Sequence, residues 1–136
     1  MNFTSQICTT KEQSERLLAF GLKHETADMC INPSRELVYP FSYSEALALY
    51  DRCGFGRIME VDSLLPAWSL HRLIEICPLI PNPARFLAVT SFKTVYVRMN
   101  DEMDVSYVGK GTYNNLISCI EWLIKEGYFN KDYLEK

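Results

Sequence analysis

The chain has 136 residues, 48% of them hydrophobic and 23% charged, with a formal net charge of −3 and a sequence pI near 5.4. That length suits one ordinary domain, and the apolar share is enough for a core without metal or disulfide staples. The acidic balance argues against a general nucleic-acid binder, because phosphate neutralisation supplies most of such a protein's affinity.

No stretch reaches the roughly 18 to 20 consecutive apolar residues needed to span a bilayer. The opening MNFTSQICTTKEQ lacks a basic start followed by an apolar run, so it does not read as a secretory signal. Cys8, Cys30, Cys53, Cys77 and Cys119 are odd in number and widely spaced, which is no disulfide framework. They read as buried, reduced thiols behaving as small hydrophobes. The expected compartment is the cytoplasm.

In chain order, a first helix is predicted to start at Thr9 or Thr10. Thr9 with Glu12, or Thr10 with Gln13, has capping-box spacing. Leu17 and Leu18 supply its inward side, and Gly21 stands where a helix often stops. MCIN (29–32) and ELVYP (36–40) read as short strands around a turn at Pro33-Ser34. Ser42 or Ser44 is placed to cap a short helix, SEALALYDR, with Leu47 and Tyr50 inward, and IMEV (58–61) is a further strand candidate. PAWSLHRLIEICP reads as a helix capped by Ser69 and stopped by Pro78, with Leu70, Leu73, Ile74 and Cys77 on one face. Trp68 and Leu73 have hydrophobic-staple spacing. Pro78, Pro81 and Pro83 make a stiff connection within the domain.

RFLAVT (85–90), TVYVRM (94–99) and DVSYVG (104–109) are rich in β-branched and aromatic residues and predict a three-stranded antiparallel meander, with NDEM (100–103) as a hairpin loop. In its middle strand Val95, Val97 and Met99 share one face and Thr94, Tyr96 and Arg98 the other: if the valines face the helices, Tyr96 and Arg98 point away from that core, unless a second layer built from residues 22 to 61 covers them. The last helix follows from Thr112. Tyr113, Leu116, Ile117, Ile120, Leu123 and Ile124 recur at intervals of three and four and share one face. Beyond Gly127, Tyr133 or Leu134 is expected to pack back onto the body.

The chemical inventory is thin. His24 and His71 are the only histidines, and neither sits in HExxH, HxH or a cysteine pair with metal-ligand spacing. A thiol enzyme needs a cysteine beside a histidine, whereas Cys77 and Cys119 fall on faces expected to be buried and inert. GKGT (109–112) lacks the full GxxxxGK[ST] phosphate loop, CGFG (53–56) is no dinucleotide fingerprint, and NDEMD (100–104) lacks the alternation of a calcium loop. The sequence therefore calls for no catalytic residue, metal or cofactor. Tyr96 and Arg98 are the candidate binding residues, because exposed tyrosine and arginine are enriched at binding hot spots.

The phrases EQSERLLAFGL (12–22), ETADM (25–29), LPAWSLHRLIEICP (65–78) and IEWLIKEGYFNKDYL (120–134) occur in an order and spacing that resemble a family of small uncharacterised bacterial proteins, often found in phage-derived or mobile regions. The resemblance spans nearly the whole chain and is weakest at residues 30–60. It implies an intracellular bacterial protein with an accessory binding role, and it brings no site residues with it.

The sequence thus reads as a single globular domain over 1–136 of the α+β class: a meander at about 85–109 with the Ser69 and Thr112 helices packed on one face. Eight tyrosines, two tryptophans and the missing catalytic constellation favour a non-enzymatic protein-interaction module, with a protein partner or self-association. Neither a membrane nor nucleic acid is expected as partner. The alternative is a small enzyme using a dispersed Cys/His or carboxylate site.

Overall fold

Thr10 decides where the first helix begins. Its backbone is extended, its hydroxyl accepts from the Gln13 N–H at 3.3 Å, and the Gln13 side chain accepts from the Thr10 N–H at 3.0 Å. Two otherwise unpaired backbone donors are satisfied by this reciprocal pair. The helix, α1, spans Lys11–Ala19 and buries Gln13, Ser14 and Leu17. It ends at Gly21, whose φ of 96° is a left-handed conformation that glycine adopts without a Cβ clash. The Gly21 N–H then reaches the Leu18 carbonyl and the Leu22 N–H the Leu17 carbonyl, the paired bonds of a Schellman stop.

The computed structural model describes residues 6–53, 63–81, 84–98 and 103–135, with the backbone alone at 49–53 and 103–104. The chain divides into two compact units, residues 1–72 with 135–136 and residues 73–134. The boundary falls inside the short helix that follows Ser69.

The first unit contains a sheet of its own. Strands β1 (Met29–Asn32) and β2 (Leu37–Tyr39) form a hairpin in which Cys30 faces Tyr39 and Asn32 faces Leu37. The turn between them places Glu36 at a φ of 54°. On the other side of β1 lies β3 (Leu65–Ala67), giving the order β2-β1-β3, all antiparallel. β3 was not expected as a strand. It is three residues long and carries Pro66, which reads as a breaker and is tolerated because β3 lies at the sheet edge. Alternation sorts the side chains. Ile31 and Ala67 pack with Cys8 on one side, while Cys30 packs with Leu64 and with Ala46 of α2 (Tyr43–Cys53) on the other. α2 opens at Ser42, whose hydroxyl accepts from the Glu45 N–H. Tyr39, Phe41, Tyr43 and Leu47 close over that cluster. The positions of the Tyr50 side chain and of the IMEV segment lie outside the described residues.

Trp68 is the fixed point of this unit. It is fully buried, its indole N–H donates to the Thr26 hydroxyl at 2.9 Å, and its backbone N–H donates to the Thr9 hydroxyl at 3.1 Å. Its carbonyl accepts from the Thr9 N–H. The Ser69 cap forms as the spacing requires: Ser69 Oγ accepts from the Arg72 N–H, and the Asp28 carboxylate accepts from both the Ser69 N–H and its hydroxyl. The helix it opens, α3, covers only Leu70–Glu75. Leu73 is buried as expected, but Ile74 is exposed and Ile76 takes the inward place, since the chain has already left the helix there.

The second unit is built on the expected meander: β4 (Arg85–Val89), β5 (Lys93–Arg98) and β6 (Met103–Val108), paired antiparallel in sequence order. α4 (Thr112–Lys125) packs on β5 and β6. Its Tyr113, Leu116, Ile117, Ile120 and Leu123 are buried, as the spacing predicts, and Ile124 is half-buried. Beyond it Phe129 is buried, with the Tyr133 ring edge-on to it at 6.0 Å. The α+β class and the meander with its covering helix are as read from the sequence.

The orientation of β5 is corrected. Tyr96 is 0% exposed, its ring lies 5.8 Å from that of Trp122 on α4, and its hydroxyl donates to the Pro78 carbonyl at 2.8 Å. It therefore faces the helix. A tyrosine ring supplies more apolar area than a valine, and its hydroxyl tolerates burial once a carbonyl accepts from it.

Candidate functional site

An opening in the first unit lies between its extended start and its hairpin. Residues 6–10 run without helical hydrogen bonds until Thr10 turns them into α1, and β1 and β2 stand opposite. The Gln6 side-chain amide donates to the Cys8 carbonyl at 2.8 Å and the Gln13 oxygen at 2.6 Å, which ties the extended segment to the helix. Between them lies a cleft of about 590 Å³, lined among others by Ile7, Lys11, Ile31, Pro33, Leu37 and Val38.

Two properties of the cleft matter chemically. Ile7, Leu37 and Val38 are 58%, 44% and 42% exposed, so apolar side chains stand in water along its wall. And β2 is an outer strand: among the described strands it pairs with β1 alone, so its other edge carries main-chain donors and acceptors with no strand beside them. Lys11, Glu12 and Glu36 give the lining both signs of charge. Asn32 borders the cleft too, and alternation sets its side chain on the same face as that of Leu37. Its buried carboxamide meets no hydrogen-bond partner.

The second unit has a smaller hollow of about 390 Å³, lined by Ile74, Cys77, Pro78, Leu79, Phe86 and Leu87, with Val89. It offers apolar contact and one thiol.

The residues singled out from sequence fall elsewhere. Tyr96 is buried under α4 and presents no surface to a partner, and Arg98 is half-buried. What surrounds Tyr96 is an aromatic row. Trp122 stacks obliquely between Tyr96 and Tyr128, and the Arg85 guanidinium lies 4.9 Å from the centre of the Tyr128 ring. GKGT makes the strand-to-helix turn, held where the Asn115 oxygen accepts from the Lys110 N–H. Gly54, Phe55 and Gly56 of CGFG, and residues 100–102 of NDEMD, lie outside the described residues.

The four described thiols are free. Burial, with the Asp28 carboxylate nearby, pushes Cys8 up to about 11. Burial, with Cys8 and Glu45 near, does the same to Cys30, and burial lifts Cys119 to about 12. Cys77 is pushed higher still by burial and then by Cys119, and its Sγ donates to the Leu73 carbonyl. All four therefore remain protonated near neutrality, a poor state for a nucleophile or metal ligand.

This sets a pH dependence. Cys8 and Cys30 ionise near 9.0 when unfolded and near 11 when folded. The unfolded chain thus loses these protons first, so the stability they contribute is intact below pH 9 and lost as pH rises toward 11. Urea melts at about pH 8 and about pH 10.5 should differ less in a Cys8→Ala/Cys30→Ala variant than in the parent.

His24 stands apart from every described thiol contact. Its Nε2 lies 3.0 Å from Glu25 Oε1, and its ring meets Tyr43 edge-on at 5.2 Å. His71 is exposed on α3. Among the described residues, no helix is long and apolar enough to cross a membrane. Comparison with protein-family models, curated proteins and solved structures found no match to the chain.

Proposed function

We propose that this protein is a non-enzymatic interaction module that takes an extended, partly apolar peptide segment of a partner protein into the cleft beside β2. The carrying observation is the coincidence of an edge of β2 that pairs with no other described strand with exposed Leu37, Val38 and Ile7 along one opening. A peptide added to a sheet edge gains affinity from main-chain hydrogen bonds and specificity from pockets for alternate side chains. The protonated thiols support a binding role over thiol chemistry. The net charge of −3 speaks against nucleic acid as the partner. The resemblance noted from the sequence supports a bacterial, intracellular setting of mobile-element origin, with the protein acting in the cytoplasm.

The test is selection of a random peptide library on the purified chain. The expected result is enrichment of extended sequences with alternating apolar residues, and loss of their binding in a Leu37→Lys/Val38→Lys variant that retains the parental circular dichroism. Lysines on an edge strand oppose pairing without touching the core. Absence of enrichment, or equal binding by the lysine variant, would overturn the reading. Concentration-dependent dimerisation abolished by the same substitutions would identify a second copy as the occupant instead.

A further inference from the structure

A second constellation in the first unit has no part in the cleft. Residues 24–26 form a single 3-10 turn, pinned because the Thr26 N–H and hydroxyl both donate to the Lys23 carbonyl and the Ala27 N–H donates to the His24 carbonyl. The turn presents His24 and Glu25 side by side, and Tyr43 sits edge-on to the imidazole. Glu135 arrives from the other end of the sequence, and its N–H donates to the Gly21 carbonyl at 2.6 Å. One imidazole nitrogen and one oxygen from each carboxylate lie within 4.8 Å of one another.

We infer that His24, Glu25 and Glu135 form a binding site for a divalent transition-metal ion, zinc by preference, which fastens the segment at Glu135 to the turn at His24. Three features carry this. The donor set is mixed, one nitrogen and two carboxylate oxygens, which suits zinc better than magnesium or calcium with their all-oxygen shells. Its members come from two separate stretches of chain, and each stretch is held by backbone bonds that do not involve the ligand side chains. The spacing is close to what an ion needs: bonds of about 2.0 to 2.2 Å bring ligand atoms to roughly 3.5 Å of one another. Glu25 and Glu135 are exposed and His24 is half-exposed, so their side chains have room to turn toward an ion. Three protein ligands leave the remaining coordination to water.

Calorimetric titration of the chelator-treated full chain with zinc chloride tests this, alongside His24→Ala, Glu25→Gln and Glu135→Gln. The expected result is one saturable site in the parent, weakened at least about tenfold by each substitution. Glu15→Gln, an exposed carboxylate of α1 outside both the cluster and the cleft lining, should leave it unchanged. Thermal melting supplies a second reading. Zinc should raise the melting temperature of the parent and not of Glu135→Gln, whose backbone bond to Gly21 is preserved. Parental zinc affinity in His24→Ala or Glu135→Gln would overturn the proposal, because the exposed carboxylates or thiols elsewhere would then be the ligands. So would magnesium binding as tightly as zinc, or no saturation below millimolar zinc.

Discussion

Ile120→Asp is expected to leave no soluble folded protein. Ile120 is fully buried on the face of α4 that meets β5 and β6, among Leu116, Ile117 and Leu123. Losing the aliphatic side chain alone removes about 1.5 to 3 kcal/mol of burial. The carboxylate that replaces it brings a desolvation cost of several kcal/mol more. The sum approaches the whole net stability of a domain, about 5 to 15 kcal/mol. Ile120→Ala should remain folded but lose about 2 to 5 kcal/mol, because a cavity replaces the side chain without an added charge. Far-UV circular dichroism and gel filtration of the two variants check this. An Asp variant that melts like the parent would mean that the α4 face is not the core of its unit.

Trp68→Ala should be the most damaging single change in the first unit, at about 3 to 5 kcal/mol in urea denaturation. The residue joins three segments: Thr9 before α1, Thr26 on the 3-10 turn, and the end of β3. Trp68→Phe separates packing from bonding. It keeps most of the apolar volume and drops the indole N–H, which leaves Thr26 Oγ1 without that donor. The expected cost is only about 1 to 2 kcal/mol. Equal losses for the two variants would show that the hydrogen bond, rather than the ring, holds the unit together.

The parts legible from the sequence are those in which one local signal suffices. The apolar period of α4, the β-branched runs of the meander, and the Thr10, Ser42 and Ser69 caps each rest on residues a few positions apart, and each forms where its signal lies. β3 was hidden because three residues around a proline carry no period of their own; their pairing with β1 creates the strand. Val95 and Val97 looked like the inward pair of β5, but Tyr96 meets Trp122 of α4 while Val95 is buried as well, and no local pattern announces the Pro78 carbonyl that accepts from the Tyr96 hydroxyl. No local pattern announces the cleft, whose walls come from residues 6–12 and 31–38. The meeting of His24 with Glu135 is still less visible, since it depends on the chain returning to its own beginning.

That return has a consequence for biosynthesis. The Gly21 carbonyl receives its hydrogen bond from Glu135, and residues 135–136 belong with residues 1–72. While the chain emerges from the ribosome, the Schellman stop, the β1–β2 hairpin and the Trp68 bonds can all form from residues already outside the exit tunnel. The Gly21–Glu135 bond cannot form until translation has passed Glu135. A nascent chain stalled before that point should carry an incompletely closed first unit, and protease should cut most readily around Gly21.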